Sequence, residues 1–403
     1  MSATVSLSGL YQFPGWVVED INLDFKLSIG EVFLRPDARK KVNKCPCCGH
    51  PMGGMRVVDR HVLDIPLATI NQMTIYFSSS QGKCSQCCHF HTFLPAGIES
   101  NSRATDRLKI YVSRLCRFMP VNKASSFFPI SDNTARRWDK DVLQRTLPSP
   151  ALDGISAILI DETSIGKGHE YLTVVLNATT GEVLHLAEGK RKSSLEGFFE
   201  KLSSQQKANI KAVGIDRSGS YQSVVKEQIP EADIVYDKFH IVSNYNDVID
   251  EIRREECRQA EEDEDKAFIK GQRFNLFKNP WNLKFEAKKS LQELLAINEN
   301  LHSAYVLKDA LKNLWTYTSI AWAGRYLNKW IGWAEETGLE ELIRFSKGLN
   351  KARKGLLSYC KHRITSAKIE SFNATIKRII RKACGYRDLD YLYLKIRQEA
   401  ISN

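Results

Sequence analysis

The sequence predicts a multidomain α+β protein whose α/β core is interrupted by a long helical segment. Three observations support this fold class. Two closely spaced cysteine pairs near the N-terminus enclose β-like runs, which is typical of a small metal-stabilised domain. From Ser156 onward, short apolar runs end at acids or turn residues, as strands do, and helical periodicity returns between residues 244 and 336. A chain of 403 residues has room for about two to four domains.

The net charge of +11 is concentrated at one end of the chain. The segment from Arg344 to Asn403 holds 15 Lys and Arg against 4 Asp and Glu, so the charges of the remaining residues balance. A basic segment favours a polyanionic partner. A solvated helix face that aids solubility is the alternative. No apolar run reaches the roughly 18 residues of a membrane span, and the N-terminus does not resemble a signal peptide. We therefore expect a cytoplasmic protein with no membrane partner.

Six of the ten cysteines fall in two tight clusters, at residues 45–48 and 84–88. Their C-x2-C spacing predicts a structural Zn²⁺ site, and the simplest ligand set is Cys45, Cys48, Cys84 and Cys87. Other donors stay open, namely Cys47, Cys88, His50, His89 and His91. Strand-like residues lie between the pairs, so residues 1–98 are predicted to form N-terminal strands and a zinc ribbon. Such a ribbon can contact DNA, bind protein, or only hold a small domain together.

A helix-turn-helix is predicted for residues 99–150, which include the linker at Pro148 and Pro150. Arg103 to Phe118 has helical periodicity, and Ser131 or Asp132 is placed to cap a later helix. That later helix carries two adjacent arginines, Arg136 and Arg137. From Arg103 to Arg145 there are 10 basic and 4 acidic residues, which favours docking on DNA phosphates. The alternative is a three-helix connector packed on the next domain.

Residues 151–244 are predicted to form the first part of an α/β core. Three antiparallel strand signals, a helix, a fourth strand, a helix and a fifth strand follow the element order of an RNase H-like fold. In that order the first and fourth strands are neighbours, so the aspartates that end their apolar runs, Asp161 and Asp216, should converge. For either aspartate alone, the alternative is a cap on the helix that follows.

A third carboxylate, Glu370, lies within the basic end of the chain. Residues 363–403 of this basic end are predicted to supply the final helices of the core. Together with Asp161 and Asp216, Glu370 would complete an oxygen-rich site for Mg²⁺ or Mn²⁺, suited to phosphodiester chemistry. Residues 245–362 are predicted to form an all-α insertion. Its tryptophans at helical spacing are expected in a core more often than against DNA.

A series of short motifs runs along the chain. They are Asp161-Glu162-Thr163, Tyr171-Leu172-Thr173-Val174-Val175, Asp216-Arg217-Ser218-Gly219-Ser220-Tyr221, Asp237-Lys238-Phe239-His240, Leu276-Phe277-Lys278-Asn279-Pro280, Ser366-Ala367-Lys368-Ile369-Glu370-Ser371-Phe372-Asn373 and Gly385-Tyr386-Arg387-Asp388. The series resembles bacterial insertion-sequence transposases with a DDE site, in the group called ISL-three, over nearly the whole chain. It departs at Arg217, where a methionine-like residue is expected, and at Ser371, where the family often has glycine.

The resemblance implies that Asp161, Asp216 and Glu370 are catalytic and hold Mg²⁺. His240 could orient a phosphate or a water near the site, or be a structural histidine. Asn373 and Lys377 share the helical face of Glu370 and could contact DNA phosphate, whereas general basic surface is the alternative for Lys377. Further candidate DNA-binding residues on this basic helix are Arg378, Arg381 and Lys382.

The leading hypothesis is a transposase that binds double-stranded DNA at the terminal inverted repeats of its element. It would catalyse Mg²⁺-dependent cleavage and strand transfer as a homodimer, near the bacterial nucleoid. One alternative is a DNA-binding regulator with an inactive core, which Arg217 favours and the three carboxylates oppose. Another is a metal-dependent nuclease that joins no strands.

Overall fold

The computed structural model describes residues 9, 11–39, 44–67, 69–216 and 219–401. Arg217, one of the two departures from the family pattern, therefore lies outside the described residues. The chain divides into two compact units. The first comprises the described parts of Met1–Pro148 and Ile379–Ser402, and the second comprises those of Ser149–Arg378. Within the described ranges, no helix is both long and apolar enough to cross a membrane.

The first unit contains a five-stranded sheet. Its strands are β1 (Trp16–Asp24), β2 (Ile29–Pro36), β3 (Arg56–Asp64), β4 (Gln72–Lys83) and β5 (Phe90–Phe93). They pair in the order β1-β2-β4-β3, and β5 also pairs with β4. The strand runs predicted between the two cysteine clusters are confirmed within β3 and β4. Alternate residues of β2 and β4, such as Val32, Met73 and Ile75, are buried in one apolar core.

Three helices follow this sheet: α1 (Asp106–Phe118), α2 (Val121–Ser125) and α3 (Asp132–Thr146). The predicted cap of α3 is confirmed, because the side chain of Ser131 accepts a hydrogen bond from the Thr134 N–H at 3.2 Å. Ala135 and Trp138 of α3 are buried in a core that also includes Leu108 and Val112 of α1. The apolar faces of α1 and α3 therefore pack together.

The last helix, α16 (Leu389–Ala400), also belongs to the first unit. Its Tyr391 packs with Leu143 of α3, and Lys395 Nζ lies 3.0 Å from Oδ2 of Asp139, a fully buried residue of α3. A buried carboxylate requires such a cationic partner. The sequence analysis grouped all of residues 363–403 with the core, whereas the structure groups the chain from Ile379 with the N-terminal unit.

The second unit is built on a mixed five-stranded sheet. Its strands are β6 (Ala157–Ser164), β7 (Tyr171–Asn177), β8 (Val183–Glu188), β9 (Ala212–Ile215) and β10 (Asp233–Tyr236). Their order is β10-β9-β6-β7-β8. Strands β6, β7 and β8 are antiparallel neighbours, whereas β9 runs parallel to both β6 and β10. The predicted adjacency of the first and fourth strands is thus confirmed.

Helices pack beside this sheet. They are α4 (Lys192–Phe199), α5 (Ser204–Asn209) and α6 (Gly219–Gln228). One apolar cluster joins Phe198 and Phe199 of α4 with Val224 of α6 and with Ile158 and Val213 of the sheet. The sequence analysis predicted α4 and α6 but did not identify α5. Helix α15 (Ala367–Lys382) carries Glu370.

Eight helices lie between β10 and α15. They are α7 (Lys238–Gln259), α8 (Asp263–Gly271), α9 (Arg273–Phe277), α10 (Phe285–Ile297), α11 (Glu299–Lys312), α12 (Ile320–Glu336), α13 (Glu340–Lys351) and α14 (Arg353–His362). Short 3₁₀ turns cover Pro280–Asn282 and Asn313–Thr316. As the sequence analysis expected, Trp315 and Trp330 are buried in the helical core, but Trp322 is 59% exposed.

Candidate functional site

Three aspartates form a row across the second unit's sheet. Ile160 of β6 pairs with Ile215 of β9, and Ile215 pairs with Tyr236 of β10. All three strands are parallel at this point, so the residues that follow, Asp161, Asp216 and Asp237, emerge at the same edge. The three aspartates line one cleft. The structure therefore brings Asp161 and Asp216 together, as predicted, and adds Asp237.

Glu370, in the first turn of α15, faces part of this row. The ligand atoms of Asp237, His240 and Glu370 all lie within 4.8 Å of one another. The hydroxyl of Ser366 contacts both Oδ2 of Asp237 and Oε1 of Glu370, and can donate to either. In this structure Glu370 is thus grouped with Asp237 and His240, while Asp161 and Asp216 line the same cleft beside them.

The electrostatic environment of the cleft disfavours negative charge. Burial raises the pKa of Asp161, and the carboxylates of Asp216 and Glu370 raise it further. A hydrogen bond from the Glu162 N–H and the electrostatic interaction with His240 lower the pKa, but the net shift is upward. Burial, Asp161 and Asp216 also raise the pKa of Glu162. Like charges in a partly desolvated site destabilise one another unless a cation is present.

The donor set fits a divalent cation. Carboxylate oxygens are the ligands that Mg²⁺ and Mn²⁺ prefer. Asp237 is only 7% exposed, and its buried Oδ1 has no hydrogen-bond partner in the part of the chain that the structure describes. A buried oxygen without a donor is costly, and a bound cation would remove that cost.

Asn373 lies one helical turn after Glu370 and is buried. Its Nδ2 donates a 2.8 Å hydrogen bond to Oδ2 of Asp161. The sequence analysis suggested a phosphate contact for this residue, but the structure directs its amide to the carboxylate instead. The other candidates on α15, namely Lys377, Arg378, Arg381 and Lys382, are exposed.

The sequence analysis missed Asp237 and Ser366 as site residues. Asp237 follows the apolar end of β10 just as Asp161 and Asp216 follow their apolar runs, so the same rule would have identified it. Ser366 carries no such signal, because its role depends on two contacts that only the folded chain creates.

The four predicted zinc ligands converge in the first unit. The Sγ atoms of Cys45, Cys48, Cys84 and Cys87 all lie within 4.8 Å of one another. The Cys45–Cys87 and Cys48–Cys84 sulfur distances are 3.5 and 3.7 Å. A tetrahedral Zn²⁺ with bonds of ~2.3 Å holds its sulfurs about 3.8 Å apart, so this cluster is compatible with zinc binding.

The two cysteine turns have matching backbones. The Gly49 N–H donates to the Cys45 carbonyl at 2.9 Å, and the Cys88 N–H donates to the Cys84 carbonyl at 3.0 Å. Gly49 and Cys88 both have positive φ, of 70° and 60°. Of the spare donors, His91 contacts the cluster, with Nε2 3.3 Å from Cys45 Sγ. Cys45, Cys47 and His91 form a second group of close donors.

The exposed face of α3 carries the predicted arginines. Arg136 and Arg137 are exposed, while Ala135 and Trp138 are buried on the opposite face. The guanidinium of Arg136 donates to Oδ1 of Asn133, also exposed, at 3.1 Å. This face has the polar and cationic groups that phosphate binding requires.

Known proteins resemble this chain over most of its length. The model of the ISL-three transposase family, described as "Transposase", matches residues 158–396. The transposase for insertion sequence element IS1001 of Bordetella parapertussis is 34% identical over 369 residues, covering 91% of this chain and 90% of that protein. The transposase for insertion sequence element IS1557 of Mycobacterium tuberculosis is 27% identical over 250 residues, covering 57% and 56% of the two chains. The chain therefore belongs to the ISL-three family of insertion-sequence transposases.

Proposed function

We propose that this transposase binds the terminal inverted repeats of its element and then cleaves and joins DNA at a metal-dependent site formed by Asp161, Asp216 and Glu370. The observation that supports this most directly is the register of Ile160 and Ile215 on adjacent parallel strands, after which both aspartates enter one cleft. We further propose that this core is RNase H-like, since its strand order β10-β9-β6-β7-β8 is the one expected for that fold.

The site residues have separate tasks in this proposal. Asp161, Asp216 and Glu370 hold Mg²⁺ or Mn²⁺, which when bound lowers the pKa of an attacking hydroxyl and stabilises the leaving oxygen. Asn373 fixes the orientation of the Asp161 carboxylate through its amide. His240, which lies in the cleft, orients a phosphate oxygen or a water. The exposed Lys377 and Arg378, about two helical turns after Glu370 on α15, hold the DNA backbone close to Glu370.

Recognition of the DNA ends is assigned to the N-terminal regions. We propose that Arg136 and Arg137 of α3 contact DNA, that Zn²⁺ holds the ribbon of residues 1–98 together, and that Arg381 and Lys382 extend the basic surface of α15. Residues 99–150 form the helix-turn-helix, residues 151–244 and 363–378 the core, and residues 245–362 the insertion. Because the two element ends must be handled together, the active form is proposed to be a homodimer, acting at the nucleoid of the bacterial cytoplasm.

A strand-transfer assay tests the proposal. Full-length protein is incubated with labelled element-end DNA, supercoiled target plasmid and Mg²⁺, beside an Asp216→Asn variant and a control Asp247→Asn variant on the exposed face of α7. We expect joined products from the wild type and from the control but none from Asp216→Asn. Cleavage without joining would indicate a nuclease. Binding alone, unchanged by Asp216→Asn, would indicate a DNA-binding regulator.

A further inference from the structure

We propose that Asp237, His240 and Glu370 form a cation subsite of their own, distinct from Asp161 and Asp216, and that the imidazole makes this subsite favour Mn²⁺ over Mg²⁺. The inference rests on the proposed function, because it divides the proposed metal site into two positions and adds Asp237 as a ligand. It also makes His240 a ligand in place of a group that orients a phosphate or a water. Neither Asp237 nor His240 is needed to explain the predicted site of three carboxylates.

The donor atoms of the three residues lie close to one another. Asp237, His240 and Glu370 each offer a ligand atom, and these atoms lie within 4.8 Å of one another. A cation with bonds of ~2.1 Å separates its ligand atoms by at most about 4.2 Å. Neighbouring ligands of an octahedral ion with such bonds lie about 3 Å apart. Side-chain movements of up to roughly 2 Å are therefore enough to close the three donors around one ion.

Asp237 does not make the hydrogen bond that is usual for its position. It occupies the N-cap position of α7, where an aspartate normally accepts a hydrogen bond from a helix N–H, but its side chain makes no such bond. The carboxylate lines the cleft instead. Its Oδ1 is buried and lacks a hydrogen-bond partner among the described residues. Because Asp237 does not cap α7 and its buried Oδ1 is unsatisfied, the carboxylate is free to bind a ligand in the cleft.

Ser366 contacts both acids of the proposed subsite. Its hydroxyl lies between Asp237 and Glu370 and carries one proton, so it can satisfy only one of the two carboxylates at a time. The hydroxyl thus holds the two acids near each other without neutralising them. A cation between the acids supplies the charge that the hydroxyl lacks, while Ser366 continues to donate to one carboxylate oxygen.

The ligand chemistry sets the preference between metals. Mg²⁺ binds oxygen ligands in strict octahedral geometry and seldom accepts nitrogen, whereas imidazole suits the transition metals. Two carboxylates and one imidazole are therefore a better set for Mn²⁺. Asp161 and Asp216 offer only carboxylate oxygens as ligands, so the cation position between these two residues accepts either Mg²⁺ or Mn²⁺.

Paramagnetic resonance with Mn²⁺ as the probe tests this directly. We expect the zinc-loaded, full-length wild type to bind Mn²⁺ with nitrogen hyperfine coupling in its electron spin echo, and His240→Gln to lose that coupling. Asp237→Asn should weaken Mn²⁺ binding at one position at least tenfold. Control variants Asp247→Asn and His302→Gln, both at exposed positions, should bind as the wild type does. Mg²⁺ should compete less well with Mn²⁺ in the wild type than in His240→Gln.

The outcomes separate this inference from the proposed function. The subsite is overturned if the wild type shows no nitrogen coupling, or if Mn²⁺ binding is unchanged in both Asp237→Asn and His240→Gln. Either result would count against the subsite even if Asp216→Asn abolished strand transfer. The proposed function fails instead if Asp216→Asn leaves strand transfer intact. Because Asp237 is buried, its variant is checked by circular dichroism, and the half-buried His240 gives an independent result if Asp237→Asn does not fold.

Discussion

The amide of Asn373 donates a 2.8 Å hydrogen bond to the carboxylate of Asp161, and so connects α15 to the central strand of the sheet. Because Asn373 follows Glu370 by one helical turn, this bond fixes the distance between the helix and the row of aspartates. The other amide atom, Oδ1, is buried without a hydrogen-bond partner in the described ranges. Asn373 therefore positions the carboxylate of Asp161 on its strand, and it also positions helix α15, which carries Glu370.

Removal of the Asn373 amide is expected to reduce strand transfer without abolishing it. In Asn373→Ala the helix loses its bond to Asp161, and a displacement of about 1 Å at a reacting centre costs roughly 100-fold in rate. Single-turnover joining rates at saturating DNA measure this effect. Asn350→Ala, at an exposed position of α13, is the matched control and should react at the wild-type rate. A variant that joins DNA as fast as the wild type would show that Asn373 has no positioning role.

The four cysteines are expected to bind one zinc ion per chain. Cys84→Ser should release the metal and lower the stability of the ribbon, because a thiolate at the buried end of the cluster is lost. Cys88→Ser should keep the metal, since Cys88 lies outside the four-sulfur group. Metal content by mass spectrometry after gel filtration distinguishes the two variants. Loss of zinc in His91→Gln as well would assign His91 to the ligand set.

The exposed arginines of α3 are expected to contribute to DNA affinity through phosphate contacts. Arg136→Ala and Arg137→Ala should each weaken binding of element-end DNA and reduce the slope of log affinity against log salt by about 1. Fluorescence anisotropy across a salt series gives both quantities. Lys201→Ala, an exposed cation of the second unit, is the control. An unchanged slope in both arginine variants would remove α3 from the DNA interface.

The local sequence was sufficient to predict much of the second unit's sheet and the start of α3. Apolar runs of four residues before Asp161 and Asp216 identify buried strands, and Ser131 identifies the start of α3. Asp237 likewise follows a short strand, but it also precedes α7 directly, so its sequence position fits both a strand-end site residue and a helix cap. Only the folded chain shows that its side chain turns into the cleft.

Contacts between distant residues could not be predicted in the same way. Lys395 pairs with Asp139 across 256 residues of sequence, and nothing near either residue indicates its partner. The start of α7 was placed six residues too late, at Asn244, because Lys238 to Ser243 carries mixed polar and apolar residues without a clear period. Tertiary packing on the sheet decides that these residues are helical.

An ion pair at the start of β10 supports the strand whose other end carries Asp237. Oδ2 of Asp233 lies 2.8 Å from His362 Nε2 and 2.9 Å from Lys361 Nζ, both at the end of α14. The hydrogen bonds from His362 and Lys361 lower the pKa of Asp233. A carboxyl group with a lowered pKa in the folded state contributes stability above its unfolded pKa, which is about 3.9. That stability is lost as the pH falls through the folded value.

Asp233→Asn is therefore expected to destabilise the protein in a pH-dependent way. At pH 7 the variant should lose about 1 kcal/mol of unfolding free energy, a modest value because the Lys361 side chain is 59% exposed and screened by water. Urea unfolding followed by tryptophan fluorescence should show this difference unchanged down to about pH 5 and shrinking below about pH 4, as Asp233 of the wild type becomes protonated. Asp247→Asn provides the control for a carboxylate without this ion pair. A difference that stayed constant down to pH 3 would mean that the ionised form of Asp233 does not stabilise the fold, and that the contact between α14 and β10 depends on packing alone.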